Sequence, residues 1–174
     1  MPVKRTGGLS GKLKRLTSDM ERDVGKAVYT VAGLIETDAA NSLEAGAVSG
    51  KNHVPSAPGT PPNSDNRFLQ KSIHVENLGP LRARVVADMP YAAIQELGGT
   101  VQNPGGQPYF IKDGEFIPVS KSSPAAARLP KTKPHTITLP ERPYMRPAAA
   151  KNRESGKKLM TAAVDRVLKG GTIT

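Results

Sequence analysis

The longest regular pattern in the chain covers residues 9–45. Apolar residues recur at Leu13, Leu16, Met20, Val24, Val28, Val31, Ile35, Ala39 and Leu43, in steps of three or four throughout. That period places them on one face of an α-helix and fits no strand. The other face carries Lys12, Arg15, Asp19, Arg22, Lys26, Glu36 and Asn41, so one side alone seeks burial. The predicted rod is about 50 Å long at 1.5 Å per residue. Gly25 and Gly33 each cost about 1 kcal/mol relative to alanine there, and so point to a bend or to a second backbone coming close. Gly46 is the expected stop, a residue that tolerates positive φ.

Period-two alternation follows. In 68–76 the inward set is Leu69, Lys71, Ile73 and Val75; in 81–88 it is Leu81, Ala83, Val85 and Ala87. Asn77-Leu78-Gly79-Pro80 between them has turn chemistry, which predicts a β-hairpin. After Pro90, the spacing of Tyr91, Ile94 and Leu97 predicts a two-turn helix closed by Gly98-Gly99. Tyr109-Phe110-Ile111 and Glu115-Phe116-Ile117 flank Lys112-Asp113-Gly114 and predict a second small hairpin. The β-branched stretch 135–139 (HTITL) reads as a strand that closes the sheet. Pro147 opens a second amphipathic helix, with Ala148, Leu159, Ala163, Val167 and Leu168 inward, running to about Lys169 and ended by Gly170-Gly171. Gly156 weakens its middle. Residues 46–66 and 101–139 are extended Pro/Gly-rich insertions, and 1–8 is a mobile basic arm. The expected fold is α+β in a single domain over 1–174. A long N-terminal helix and a C-terminal helix pack on a small antiparallel sheet, with long Pro/Gly-rich loops.

Composition narrows this picture. Of 174 residues, 37% are hydrophobic and only 4% aromatic, so the core must be small, aliphatic and incomplete without neighbours. Seventeen glycines and 16 prolines favour irregular arms over a tight globule. The absence of cysteine excludes disulfides and thiolate metal sites. A net charge of +10 fits contact with nucleic acid or an acidic protein, or equally a solvated basic face. The candidate DNA or anion contacts are Lys4, Arg5, Lys12, Lys14 and Arg15 at the start, and Lys151, Arg153, Lys157 and Lys158 on the last helix. No aromatic is interleaved with them, which argues against a base-stacking platform. No apolar run approaches the roughly 20 residues that span a bilayer. The basic N-terminus has no apolar signal core, so the expected compartment is a cytoplasm.

Catalytic constellations are not evident. His53, His74 and His135 lie far apart without ligand spacing. There is no nucleophile elbow and no phosphate-cradling loop. Glu96 near Tyr91 reads better as a structural carboxylate than as half of an acid/base pair. The expectation is a protein that is no enzyme and uses neither cofactor nor metal.

Two stretches together carry a family resemblance. Tyr91-Ala92-Ala93-Ile94-Gln95-Glu96-Leu97-Gly98-Gly99-Thr100 resembles the "YA..vE.GT" segment of the tail-completion proteins of long-tailed bacteriophages, also called neck or head-to-tail joining proteins. Arg142-Pro143-Tyr144-Met145-Arg146-Pro147-Ala148 resembles the "RPF.RPA" segment before that family's last helix. The order of elements is similar too, over roughly 9–168. Leu97 stands where the family has an aromatic, Gly99 is an extra residue, and 46–66 and 101–139 exceed the family core.

The resemblance implies a structural virion protein that forms a ring, a homohexamer, at the head–tail junction. Its implied partners are further copies of itself, the head connector or stopper, and the tail tube or tail terminator, with DNA in the lumen and no membrane. Implied locations are the virion neck and, during assembly, the host cytoplasm. The alternatives are a tail terminator ring and, from another class, a basic nucleic-acid-binding domain. Interface candidates are Tyr91, Glu96, Gly98, Gly99, Thr100, Arg142, Pro143, Tyr144, Arg146 and Pro147. Pro143 and Pro147 fix φ on either side of Tyr144, which presents its ring and Arg146 with little entropy left to lose. Tyr and Arg are the types enriched at interface hot spots. Equally, Tyr144 plugs the core where sheet meets helix. A pairing of Arg142 or Arg146 with Glu96 would join the two motifs. The long loops are expected to order as neighbours dock.

Overall fold

A computed structural model of the chain describes residues 8–169. The N-terminal rod is helical throughout, as α1 (Gly8–Asp19), a π-helical turn (Met20–Val24) and α2 (Gly25–Glu44). The π turn is a departure from the regular helix predicted. Successive apolar steps of four outrun a 3.6-residue turn, and the wider i→i+5 turn takes up the excess. Gly8 is already helical, so the basic arm expected over 1–8 is otherwise outside the described residues. Helix α2 ends at Glu44, but Gly46 is not at positive φ. Its role is space: a Cβ there would meet the Asn63 side chain.

Residues 68–71 are a helical turn, α3 (Phe68–Lys71), and not the start of a strand. Asn66 Oδ1 accepts the Phe68 N–H at 3.1 Å and starts the turn, which delivers Leu69 to the core. Strands β1 (Ile73–Gly79) and β2 (Arg82–Ala87) then pair antiparallel, with a bulge between Asn77 and Gly79. Ile73 faces Ala87 and Val75 faces Val85, and this face packs on α2. The opposite face pairs Glu76 with Arg84 at 2.6 Å. Of the two arginines of β2, Arg84 is thus ion-paired, and Arg82 is exposed.

One continuous sheet was expected; three separate two-stranded ribbons are found. Helix α4 (Ala92–Leu97) leads directly into β3 (Gly99–Asn103), which pairs with β6 (His135–Leu139) rather than leaving that strand to join β1–β2. Between them lies the hairpin of β4 (Tyr109–Lys112) and β5 (Glu115–Pro118). Asp113 and Gly114, at φ 54° and 83°, make its two-residue turn in the left-handed conformation that such hairpins require. The β3–β6 and β4–β5 ribbons pack little on the helices, so 99–139 forms an arm beside the body.

Helix α5 (Met145–Leu168) begins two residues before Pro147 and runs antiparallel along α2, with Lys151 and Asn152 bonded to Asp38 and Gly156 beside Val31. Its buried stripe is Ala148, Asn152, Gly156, Ala163 and Val167. Leu159 and Leu168, expected inward, are exposed. Gly156 is there because the helices nearly touch: a Cβ would lie 2.9 Å from Val31 Cγ1. The closing glycines Gly170 and Gly171 lie outside the described residues. The core, Ala39, Leu43, Leu69, Ile73, Ala92, Tyr144 and Ala148, sits where the end of α2 meets α4 and the start of α5.

Candidate functional site

The two sequence segments that carry the resemblance meet at one carboxylate. Helix α4 turns Glu96 inward, so that it is 9% exposed while its neighbour Leu97 is 64% exposed. The stripe expected to bury, Tyr91, Ile94 and Leu97, is thus not the inner face; Ala92 and Glu96 are. Glu96 Oε2 accepts the backbone N–H groups of Tyr144 (2.7 Å) and Met145 (3.0 Å). Oε1 accepts the Arg146 N–H (2.9 Å) and Arg146 Nε (3.1 Å). A helix start leaves four N–H groups without intrahelical partners. Here three go to one carboxylate, and the fourth position is Pro147, which has none. The negative charge also sits at the positive end of a 24-residue helix dipole.

Arg146 closes the arrangement. Its Nη2 donates to the Glu96 carbonyl (2.9 Å) and to Glu141 Oε2 (2.8 Å). Burial pushes the Glu96 carboxyl up, but the bonds from Tyr144, Met145 and Arg146 together hold it below the usual carboxylate range. Tyr144, buried and next to that charge, is pushed up to about 12.

The other predicted residues separate by role. Tyr144, a candidate interface aromatic, is only 1% exposed and plugs its own core, so it presents no ring to a neighbour. Arg142 does not reach Glu96; its N–H donates to Gln95 O (2.7 Å) and its Nε to Ser56 O (3.1 Å). Pro143 is half-buried and Pro147 exposed. Gly98, at φ 65°, lies against Leu139 O and Glu141 N, at 2.9 and 2.7 Å from an added Cβ, where the arm leaves the body. Gly99 and Thr100 begin the β3–β6 ladder, opposite Leu139 and Thr138. Tyr91 alone of the motif aromatics keeps an exposed surface. The loop 46–66 is tied to this junction within one chain, through Gly59 N–H to Glu141 O (2.8 Å) and Ser64 N–H to Leu43 O (3.2 Å).

Of the cationic candidates, Lys4 and Arg5 lie outside the described residues. Lys12, Lys14 and Arg15 are exposed on α1, and Arg153, Lys157 and Lys158 on α5. Lys151 is bound to Asp38 Oδ1 at 2.8 Å. Asn152 Nδ2 donates to Asp38 Oδ2 (2.7 Å), and these two bonds lower the Asp38 carboxyl. Asp38 was not singled out in the sequence, because nothing local marks a partner 113 residues away.

Also missed were Phe110, Ile111 and Phe116, which stand exposed on the β4–β5 hairpin, and the apolar groove between α2 and α5. Their signal was two of the three Phe in one short hairpin outside any predicted core. Among the described residues, no group of three or more His, Asp or Glu is placed to hold a metal ion, and no helix is long and apolar enough to cross a membrane. In comparisons with family models, curated proteins and solved structures, none matches this chain.

Proposed function

We propose that the protein is a structural virion component that forms a ring, a homohexamer, at the head–tail junction of a long-tailed phage. The observation that carries this reading is the convergence of the two resembling segments on Glu96. Segments 91–100 and 142–148 form one unit: the carboxylate of the first caps the helix that begins within the second. Further support comes from unspent association surface. Three ribbons of two strands each leave strand edges without a third strand, apart from the start of β4, where Tyr109 N–H bonds to Pro130 O, and the arm carries large exposed apolar residues. Closed rotational symmetry uses two different patches per subunit, and arm and body differ in this way. The exposed cations of α1 and α5 supply contact with lumenal DNA or with an acidic ring above or below.

The test is electron microscopy of particles made without this protein. Filled heads and separate tails are expected; normally joined virions would overturn the reading.

A further inference from the structure

A groove runs between α2 and α5 and extends to β2. Val31, Ile35, Ala149 and Met160 line it along its whole length, with about 610 Å³ at one end and about 390 Å³ at the Val85 end. Arg153 and Lys157 stand on its rim, and neither has a carboxylate within ion-pair distance among the described residues. The β4–β5 hairpin has the complementary character. Register places Ile111 opposite Phe116, and Tyr109 stacks on Phe116 at 4.8 Å, so the three share one face. On that face Ile111 is 60% and Phe116 51% exposed. The turn at its tip carries an exposed carboxylate, Asp113, while Glu115 stands opposite Lys112 on the ribbon's other face. A two-stranded ribbon is marginally stable alone, and an apolar face of this kind marks a contact surface.

We infer that the β4–β5 hairpin of one copy seats Ile111 and Phe116 in the α2–α5 groove of the next copy, with the Asp113 carboxylate of its turn against Arg153 and Lys157. The occupant is a second copy because the hairpin supplies both halves of the match: an apolar ridge for the apolar floor, and the turn carboxylate of Asp113 for the unpaired cations. Hairpin and groove are different patches, so the contact is heterologous and propagates around a ring. This rests on the ring reading and names the contact that builds it.

The cysteine-free chain permits a direct test. Full-length Ile111→Cys and Ala149→Cys proteins are mixed and oxidised. A disulfide-linked pair of unlike copies is expected, well above the yield from Ile111→Cys mixed with Leu13→Cys, an exposed site on α1 away from the groove. In sedimentation, the double variant Ile111→Ser/Phe116→Ser is expected to weaken self-association about tenfold or more, since buried aromatic anchors dominate interfaces. Arg153→Glu/Lys157→Glu weakens it, and adding Asp113→Lys restores part of the loss. All these side chains are exposed, so circular dichroism should show the fold kept. Equal yields from the Ala149 and Leu13 pairs, or a cross-link confined to one chain when both cysteines share it, would overturn the contact. Cross-linking together with normally joined particles lacking the protein would overturn the neck reading alone. Unjoined particles without cross-linking would overturn the contact alone.

Discussion

Replacing Glu96 by alanine removes the acceptor for three backbone N–H groups and a guanidinium together. Loss of the cap and the stranding of buried donors should cost at least about 2 kcal/mol, read by urea denaturation. Glu96→Gln should be nearly as costly, because its amide NH₂ must face other donors. Arg146→Ala should cost clearly less than Glu96→Ala, since that side chain is half-exposed and the three backbone bonds survive. The pH dependence has a definite sign. Glu96 titrates in the fold below its ordinary value of 4.5, so in that window the unfolded chain binds more protons. Its contribution to stability is complete above about 4.5 and is lost as the pH falls through the lowered value. The difference between wild type and Glu96→Gln should therefore shrink on acidification over that range; a constant difference would contradict the assignment.

At the scale of elements, the helix glycines have different reasons to exist. A Cβ on Gly25 would lie 2.4 Å from the carbonyl oxygen of Pro80, the backbone of the β1–β2 turn. Gly25→Ala should therefore destabilise, since overpacking costs of about 1–3 kcal/mol exceed the roughly 1 kcal/mol gained in helix propensity. Gly33 has open space at its Cβ position, so Gly33→Ala should stabilise by about 0.5–1 kcal/mol. Gly156→Ala meets the methyls of Val31, which a β-branched side chain on a helix cannot readily turn away. Combined with Val31→Ala, it should cost less than the sum of the two single changes. Thermal denaturation of the five variants checks all three statements.

At the scale of the molecule, the core lies at one end of the α2–α5 pair, while the 99–139 arm packs mainly on itself. Amides of β3, β4, β5 and β6 should then exchange with solvent faster than those of α2, α5 and β1–β2, because local opening needs little apolar surface to be exposed. Burial of the β4–β5 face between copies should slow the hairpin amides on assembly. Hydrogen exchange measured at low and high protein concentration checks both.

Local chemistry was enough for what depends on neighbours in sequence. The apolar steps of 9–45 specified a helix, Asp113-Gly114 specified a tight turn, and the alternation from Ile73 through Ala87 specified a hairpin with its inward face. The α+β class followed from those elements, because each had one face to hide. Tertiary structure alone decided what depends on distant residues. It brought Glu96 to the start of α5, set Gly156 against Val31 and Gly25 against Pro80, and paired β6 with β3 instead of β1–β2. It also turned Leu97 and Leu159 outward, contrary to their hydrophobicity. Periodicity reports which residues share a side of an element; which side faces inward is set by the surface that packs against it, and that surface comes from elsewhere in the chain.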